Sequence, residues 1–135
     1  MDLVHFFIKN NNILFLFIAI ISAIMLLMPY IRKNVQGIDL NGAINLVNKN
    51  EAILTDIRSP NEFKEKHIPQ SYNTNSDDLK SNKKFLNKSL ILVCKDGTNS
   101  LKVASSIKNQ GSGNILFLIG GIDEWINNEL PIIKK

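Results

Sequence analysis

The chain has 135 residues, 44% of them hydrophobic, and a formal net charge of +4. That is room for one compact domain and a short appendage, and excludes a second core. From Asn34 onward 13 Lys or Arg face 11 Asp or Glu, a net of +2, without a dense basic stripe or an aromatic ladder, so no nucleic-acid partner is expected.

Residues 1–12 read as a short lead. Between Ile13 and Met28 no residue is charged and Ser22 is the only polar one; continuing through Pro29, Tyr30 and Ile31 gives a run of 19 residues. As a helix that run would be about 28 Å long, close to the roughly 30 Å hydrocarbon core of a bilayer. A helix apolar on every face fits poorly inside so small a domain. The expectation is one transmembrane helix over 13–31, in contact with the lipid bilayer, with a cleaved signal peptide or a buried helix as the alternatives. Only Lys9 precedes the run, whereas Arg32 and Lys33 close it and no good small-residue cleavage site is visible. These flanks favour a retained anchor. The basic pair also places the following domain on the cytoplasmic side. Pro29 falls in the last turn, where a kink is tolerable, and Tyr30 suits the headgroup level.

Residues 32–37 read as a linker and 38–135 as the soluble domain. Asp39 is a plausible N-cap for a helix carrying Leu40, Ala43, Ile44 and Val47 on one side, weakened modestly by Gly42. Ala52-Ile53-Leu54 makes a short strand ending at Thr55-Asp56. Pro60 supports a helix start after Ser59, with Glu62 in its first turn and Phe63 buried. Ile68-Pro69 marks an extended segment, and Asn75 or Ser76 caps a short turn containing Leu79. The polar stretch from Lys80 to Lys88 is surface, pinned by Phe85 and Leu86, with Lys83 and Lys84 as solvated loop residues. Leu90 to Val93 is a continuous apolar run, as in a central parallel strand covered on both faces. Ser100 is read as the cap of a helix through Asn109, with Leu101, Ala104 and Ile107 inward and Gly111 or Gly113 ending it. Ile115 to Ile119 forms another apolar strand. Gly120-Gly121 then turns the chain into a short helix containing Ile122 and Trp125. Strands alternating with helices predict an α/β domain with a mostly parallel central sheet flanked by helices.

Ligands of such sheets bind beyond the C-terminal strand ends, where Asp56 and Cys94 fall. Cys94 is the only cysteine. It excludes an internal disulfide and an all-cysteine metal site, and a free thiol fits a reducing compartment. His5 and His67 offer no metal-ligand spacing, so neither a metal nor an organic cofactor is expected. A thiol ending a buried strand before a glycine-containing turn is placed where backbone amides can stabilise a thiolate. The plainer alternative is a buried, inert thiol.

Three stretches carry a resemblance. Asp56-Ile57-Arg58-Ser59-Pro60-Asn61-Glu62-Phe63, with His67-Ile68-Pro69, resembles the opening signature of rhodanese-like domains. Cys94-Lys95-Asp96-Gly97-Thr98-Asn99-Ser100 resembles their active-site loop. Gly120-Gly121-Ile122-Asp123-Glu124-Trp125 and Leu130-Pro131-Ile132 resemble their closing elements. The resemblance covers roughly 38–133 and, with the preceding apolar run, is similar to small membrane-anchored single-domain bacterial rhodaneses. It implies a rhodanese-like domain preceded by one transmembrane helix, single-pass in the bacterial cytoplasmic (inner) membrane, with membrane-associated proteins among its partners.

The resemblance further implies that Cys94 takes sulfur from a sulfane-sulfur donor, holds it as a persulfide and passes it to an acceptor nucleophile. Lys95, Asp96, Gly97, Thr98, Asn99 and Ser100 form the substrate-binding loop, with the hydroxyls of Thr98 and Ser100 as candidate donors to the sulfur. Gly97 lets the backbone curl around the sulfur. The six positions from Cys94 to Asn99 resemble sulfurtransferases more than relatives with a longer, phosphate-sized loop, which disfavours phosphatase activity. Family loops often end in arginine where this one has Asn99, which cannot supply a bidentate cation; weak thiosulfate affinity is the expectation, with Lys95 as partial compensation offset by Asp96. Asp56 and Arg58 are read as structural supports of the loops, His67 as structural or surface, and Trp125 and Phe63 as core or partly buried at its edge. The rivals are a binding or scaffolding module with lost turnover, and a redox-sensing thiol.

Overall fold

The computed structural model describes residues 2, 5, 12–31, 35–81, 88–109 and 114–135, without the side chains of 29–31 and 109. Lys9, Arg32, Lys33, Lys83, Lys84, Phe85, Leu86, Gly111 and Gly113 lie outside the described residues. The chain divides into two units, Met1–Lys33 and Asn34–Lys135.

The first unit contains helix α1, Ile13–Ile31. Its described side chains, Ile13 to Met28, are exposed throughout. The expected transmembrane helix is not shown by the structure. Among the described residues no helix is long and apolar enough to cross a membrane.

The second unit is built on a five-stranded sheet in the order β1-β6-β5-β2-β4, every neighbouring pair parallel. Its strands are β1 (Gln36–Ile38), β2 (Ala52–Asp56), β4 (Tyr72–Asn73), β5 (Ser89–Val93) and β6 (Ile115–Leu118). The apolar runs of β5 and β6 sit centrally because both faces are covered. Side chains alternate between two layers. Ala52, Leu54, Ile91, Val93, Leu116 and Leu118 pack against α2 (Leu40–Asn48) and α6 (Gly121–Asn127). Leu90, Leu92 and Ile115 pack with Leu79 of α4 (Ser76–Ser81) and with Ala104 and Ile107 of α5 (Thr98–Asn109).

Local chemistry sets the helix starts. Asp39 caps α2 by accepting the Gly42 amide at 3.0 Å. Ser59 and Glu62 form a reciprocal capping box at the head of α3 (Pro60–Glu65), with Pro60 in the first turn, where no amide is needed. Asn75 accepts the amides of Asp77 and Asp78 ahead of α4.

Several expectations are corrected. β1 lies partly within the stretch read as a linker; Gln36 and Gly37 carry no strand pattern and become a strand by pairing with Leu116 and Phe117. Phe63, expected in the core or partly buried at its edge, is half-buried, stacked on His67 with ring centroids 4.0 Å apart. Ile68-Pro69 enters a turn rather than a strand. The extended residues are instead β3 (Lys66–His67), which pairs antiparallel with β7 (Ile133–Lys134) as a separate clip. Leu101 and Ile119 are exposed, the latter beyond the end of β6.

Candidate active site

The carboxyl ends of β2 and β5 lie side by side, with Asp56 opposite Val93. Cys94 follows β5 directly and is 4% exposed. Its Sγ accepts the backbone N–H of Gly97 at 3.1 Å and that of Ser100 at 3.3 Å. Two amides converging on one sulfur are the arrangement that favours negative charge there.

The turn that brings them round requires Gly97 at φ +93, in the left-handed region that glycine tolerates. The Gly97 carbonyl accepts the Leu101 amide at 3.1 Å, so Gly97, not Ser100, stands at the cap of α5. Ser100 is fully buried within the first turn, and its amide is spent on the sulfur. Thr98 also departs from expectation: its hydroxyl donates to Asp96 Oδ1 at 2.7 Å and its amide to the same oxygen at 3.0 Å. Those bonds hold the Asp96 carboxyl below its ordinary value, the hydroxyl first and the amide second.

With the loop amides turned inward, its carbonyls turn outward. The Cys94 carbonyl accepts the Ile122 amide at 2.8 Å and the Lys95 carbonyl accepts the Asp123 amide at 3.0 Å. The first turn of α6 thus grips the cysteine loop from behind. Gly121, at φ +60, makes the approach possible: a Cβ there would stand 2.4 Å from the Cys94 carbonyl oxygen and 2.6 Å from that of Lys95.

Asp56 and Arg58 do not touch the sulfur by any recorded bond. Arg58 Nη2 meets Asp56 Oδ2 at 2.7 Å and Nε reaches both carboxylate oxygens, with side-chain exposures of 6% and 1%. Nη2 also donates to the Lys66 carbonyl at 2.8 Å, which ties the pair to the β3–β7 clip. Asn73 Nδ2 donates to the carbonyls of Asp56 and Arg58 at 3.1 and 3.0 Å. His67 Nδ1 lies 2.7 Å from the Phe63 carbonyl. Trp125 is buried, its Nε1 donating to the Pro131 carbonyl at 2.9 Å.

At the mouth, Lys95, Asp96, Thr98 and Asn99 are exposed. Glu62 carries a carboxyl held below its usual value, first by the Ser59 hydroxyl, then by the Ser59 amide, with smaller help from the charges of Arg58 and Lys95. The structure therefore gathers Cys94, Gly97 and Ser100 into a sulfur cradle, and leaves Lys95, Asp96, Thr98 and Asn99 as its rim. Asn73 and the α6 amides were missed from sequence. The Gly120-Gly121 doublet was the one available signal, since paired glycines mark a close backbone approach.

Residues 40–128 match the profile of the Rhodanese-like domain. The chain is 31% identical over 91 residues to the thiosulfate sulfurtransferase GlpE of Pseudoalteromonas translucida, covering 65% of this chain and 86% of that one. It is 25% identical over 123 residues to the Escherichia coli protein YibN, covering 87% of this chain and 86% of that one. Among solved structures, a rhodanese-related protein of Thermoplasma volcanium superposes with a TM-score of 0.64 at 22% identity, covering 74% of this chain and 99% of that one.

Proposed function

This chain belongs to the rhodanese-like domain family, and from that premise we propose that Cys94 is a persulfide-forming nucleophile that carries sulfane sulfur from a donor to a thiol or other nucleophile. Sulfur transfer or carriage is the chemistry of the family. The observation that supports it here is the pair of amides, Gly97 and Ser100, on Cys94 Sγ.

With thiosulfate as donor, the Cys94 thiolate attacks the outer sulfur and a new S–S bond forms at Cys94. The old S–S bond breaks and sulfite leaves with its electron pair. The persulfide Cys94–S–S⁻ then yields its outer sulfur to an acceptor thiolate, and the Cys94 thiolate is regenerated. Sγ carries the charge as the attacking thiolate and again as the thiolate released when the outer sulfur leaves, so the amides on Sγ serve both half-reactions. No proton relay is needed, which agrees with the commitment of Asp56 and Arg58 to each other.

Intact-mass measurement of the full chain in mild detergent tests this reading, after thiosulfate and after cysteine persulfide, beside a Cys94→Ser control. A gain of one sulfur atom on the native protein alone, reversed by an acceptor thiol, is the expected result. No adduct with either donor, in folded and reduced protein, overturns it. A second reading, a scaffolding module without efficient turnover, draws on the exposed Asn99 where family loops often carry arginine.

We further propose that α1 anchors the domain as a single pass in a bacterial inner membrane, with the domain on the cytoplasmic side. The exposed apolar side chains from Ile13 to Met28 support this. With Pro29, Tyr30 and Ile31 the run reaches the length a bilayer needs. Held there, the thiol would meet membrane-associated donors or acceptors at raised effective concentration.

A further inference from the structure

Among the described residues two buried side-chain polar atoms lack a hydrogen-bond partner, Thr55 Oγ1 and Ser100 Oγ. Both residues are 0% exposed. A buried hydroxyl without a partner lowers stability, and a valine or alanine in its place would not. Each such group asks for an explanation, and a partner that arises in another state of the protein supplies one.

Their position identifies that partner. Thr55 stands opposite Leu92 in the β2–β5 register, and directly paired residues on neighbouring strands place their side chains on the same face. Leu92 packs in the layer under α5 with Ala104 and Ile107, so Thr55 faces that layer too. Ser100 precedes Ala104 by four residues and Ile107 by seven, which puts it on the sheet-facing side of the same helix. Cys94 follows Leu92 by two residues, and its sulfur meets the first turn of α5 through the Ser100 amide. The thiol and both orphan hydroxyls thus share one layer at the carboxyl end of the sheet.

The resemblance of the loop already implies Ser100 as a donor; beyond it, we propose that the Thr55 hydroxyl is a reserve donor to the Cys94 sulfur, engaging it when it becomes anionic as thiolate or persulfide. This rests on the reading of Cys94 as a sulfur carrier. A neutral thiol is a weak acceptor; an anionic sulfur is a strong one. The Gly97 and Ser100 amides are fixed in direction by the backbone. A hydroxyl hydrogen rotates about its C–O bond, so it can follow the charge outward as the new S–S bond forms and the leaving group departs with the electron pair.

The test uses the full chain in detergent, as wild type, Thr55→Val, Ser100→Ala, the double variant and Thr55→Ser. Each is loaded with cysteine persulfide or thiosulfate. The half-life of the sulfur adduct is read by intact mass, and Tm by circular dichroism. The expected result is a split: the Val and Ala variants melt at the wild-type temperature or above, yet lose the adduct about tenfold faster. Thr55→Ser, which keeps the hydroxyl, holds the adduct like wild type. Equal adduct half-lives overturn the proposal, and equal half-lives with a lowered Tm assign the hydroxyls a structural role. Thr55→Ala takes the place of Thr55→Val if the latter does not fold. If the wild type itself never loads, the carrier reading fails separately; the hydroxyls are then tested by the rate of Cys94 alkylation with iodoacetamide at fixed pH. Slower alkylation in the truncations upholds them, and unchanged rates overturn them.

Discussion

For the sulfur carriage proposed above, the residue that bears on the choice of donor is Asn99. It is exposed at the last position of the loop and offers a neutral amide. Arg58 cannot stand in for a loop arginine, because its guanidinium is committed to Asp56 and the Lys66 carbonyl. Removing one partner of so buried a pair costs roughly 3–5 kcal/mol, which argues for a structural duty. That leaves Lys95 as the exposed cation of the loop, beside a carboxylate that Thr98 keeps ionised. A dianion such as thiosulfate therefore finds little net attraction. Asn99→Arg should raise kcat/KM for thiosulfate about tenfold or more, chiefly through KM, since a charge-assisted contact contributes roughly 1.5–3 kcal/mol. Steady-state thiocyanate formation from cyanide measures it. Unchanged turnover would show that Lys95 and the amides already suffice, or that thiosulfate is not the donor.

At the scale of elements, the cradle depends on α6 as much as on the loop. The amides of Ile122 and Asp123 hold the outward carbonyls, and Gly121 leaves them room. Gly121→Ala should destabilise the fold by at least about 1–3 kcal/mol from backbone strain alone. It should also weaken persulfide loading; urea denaturation followed by intact mass reads both effects, and a variant of native stability and loading would refute the grip. The apolar runs 90–93 and 115–118 were legible as strands because both faces are covered, and Asp39, Ser59 and Asn75 because capping is local chemistry. The strands β1, β3, β4 and β7 were not, since each has only two or three residues and exists through its pairing partner. Ser100 was misread as a cap because its type suits one; the Asp96–Thr98 bonds and the turn at Gly97 start the helix three residues earlier. The cysteine loop itself was readable from its sequence. Thr55 was not, because only the register shows which layer it enters.

At the scale of the whole molecule, the proposed anchor and the proposed sulfur site fall in different units of the chain. The side chains Ile13 to Met28 of α1 are exposed, and that much apolar surface is a liability in water. The full chain mixed with phospholipid vesicles should therefore float in a density gradient and resist extraction by high salt, whereas a chain lacking residues 13–31 should stay at the bottom. A full chain that sediments free of vesicles removes the anchor from the account.

The grip of α6 and the β3–β7 clip also set an order in time. During synthesis Cys94 leaves the ribosome well before Ile122 and Asp123, which hold its loop, and before Ile133 and Lys134, which back the strand that braces Arg58. The nascent chain consequently exposes an ordinary cysteine. The cradle around its sulfur forms only when the segments made after it dock, so on the proposed function an aborted or clipped product lacking them would carry no sulfur.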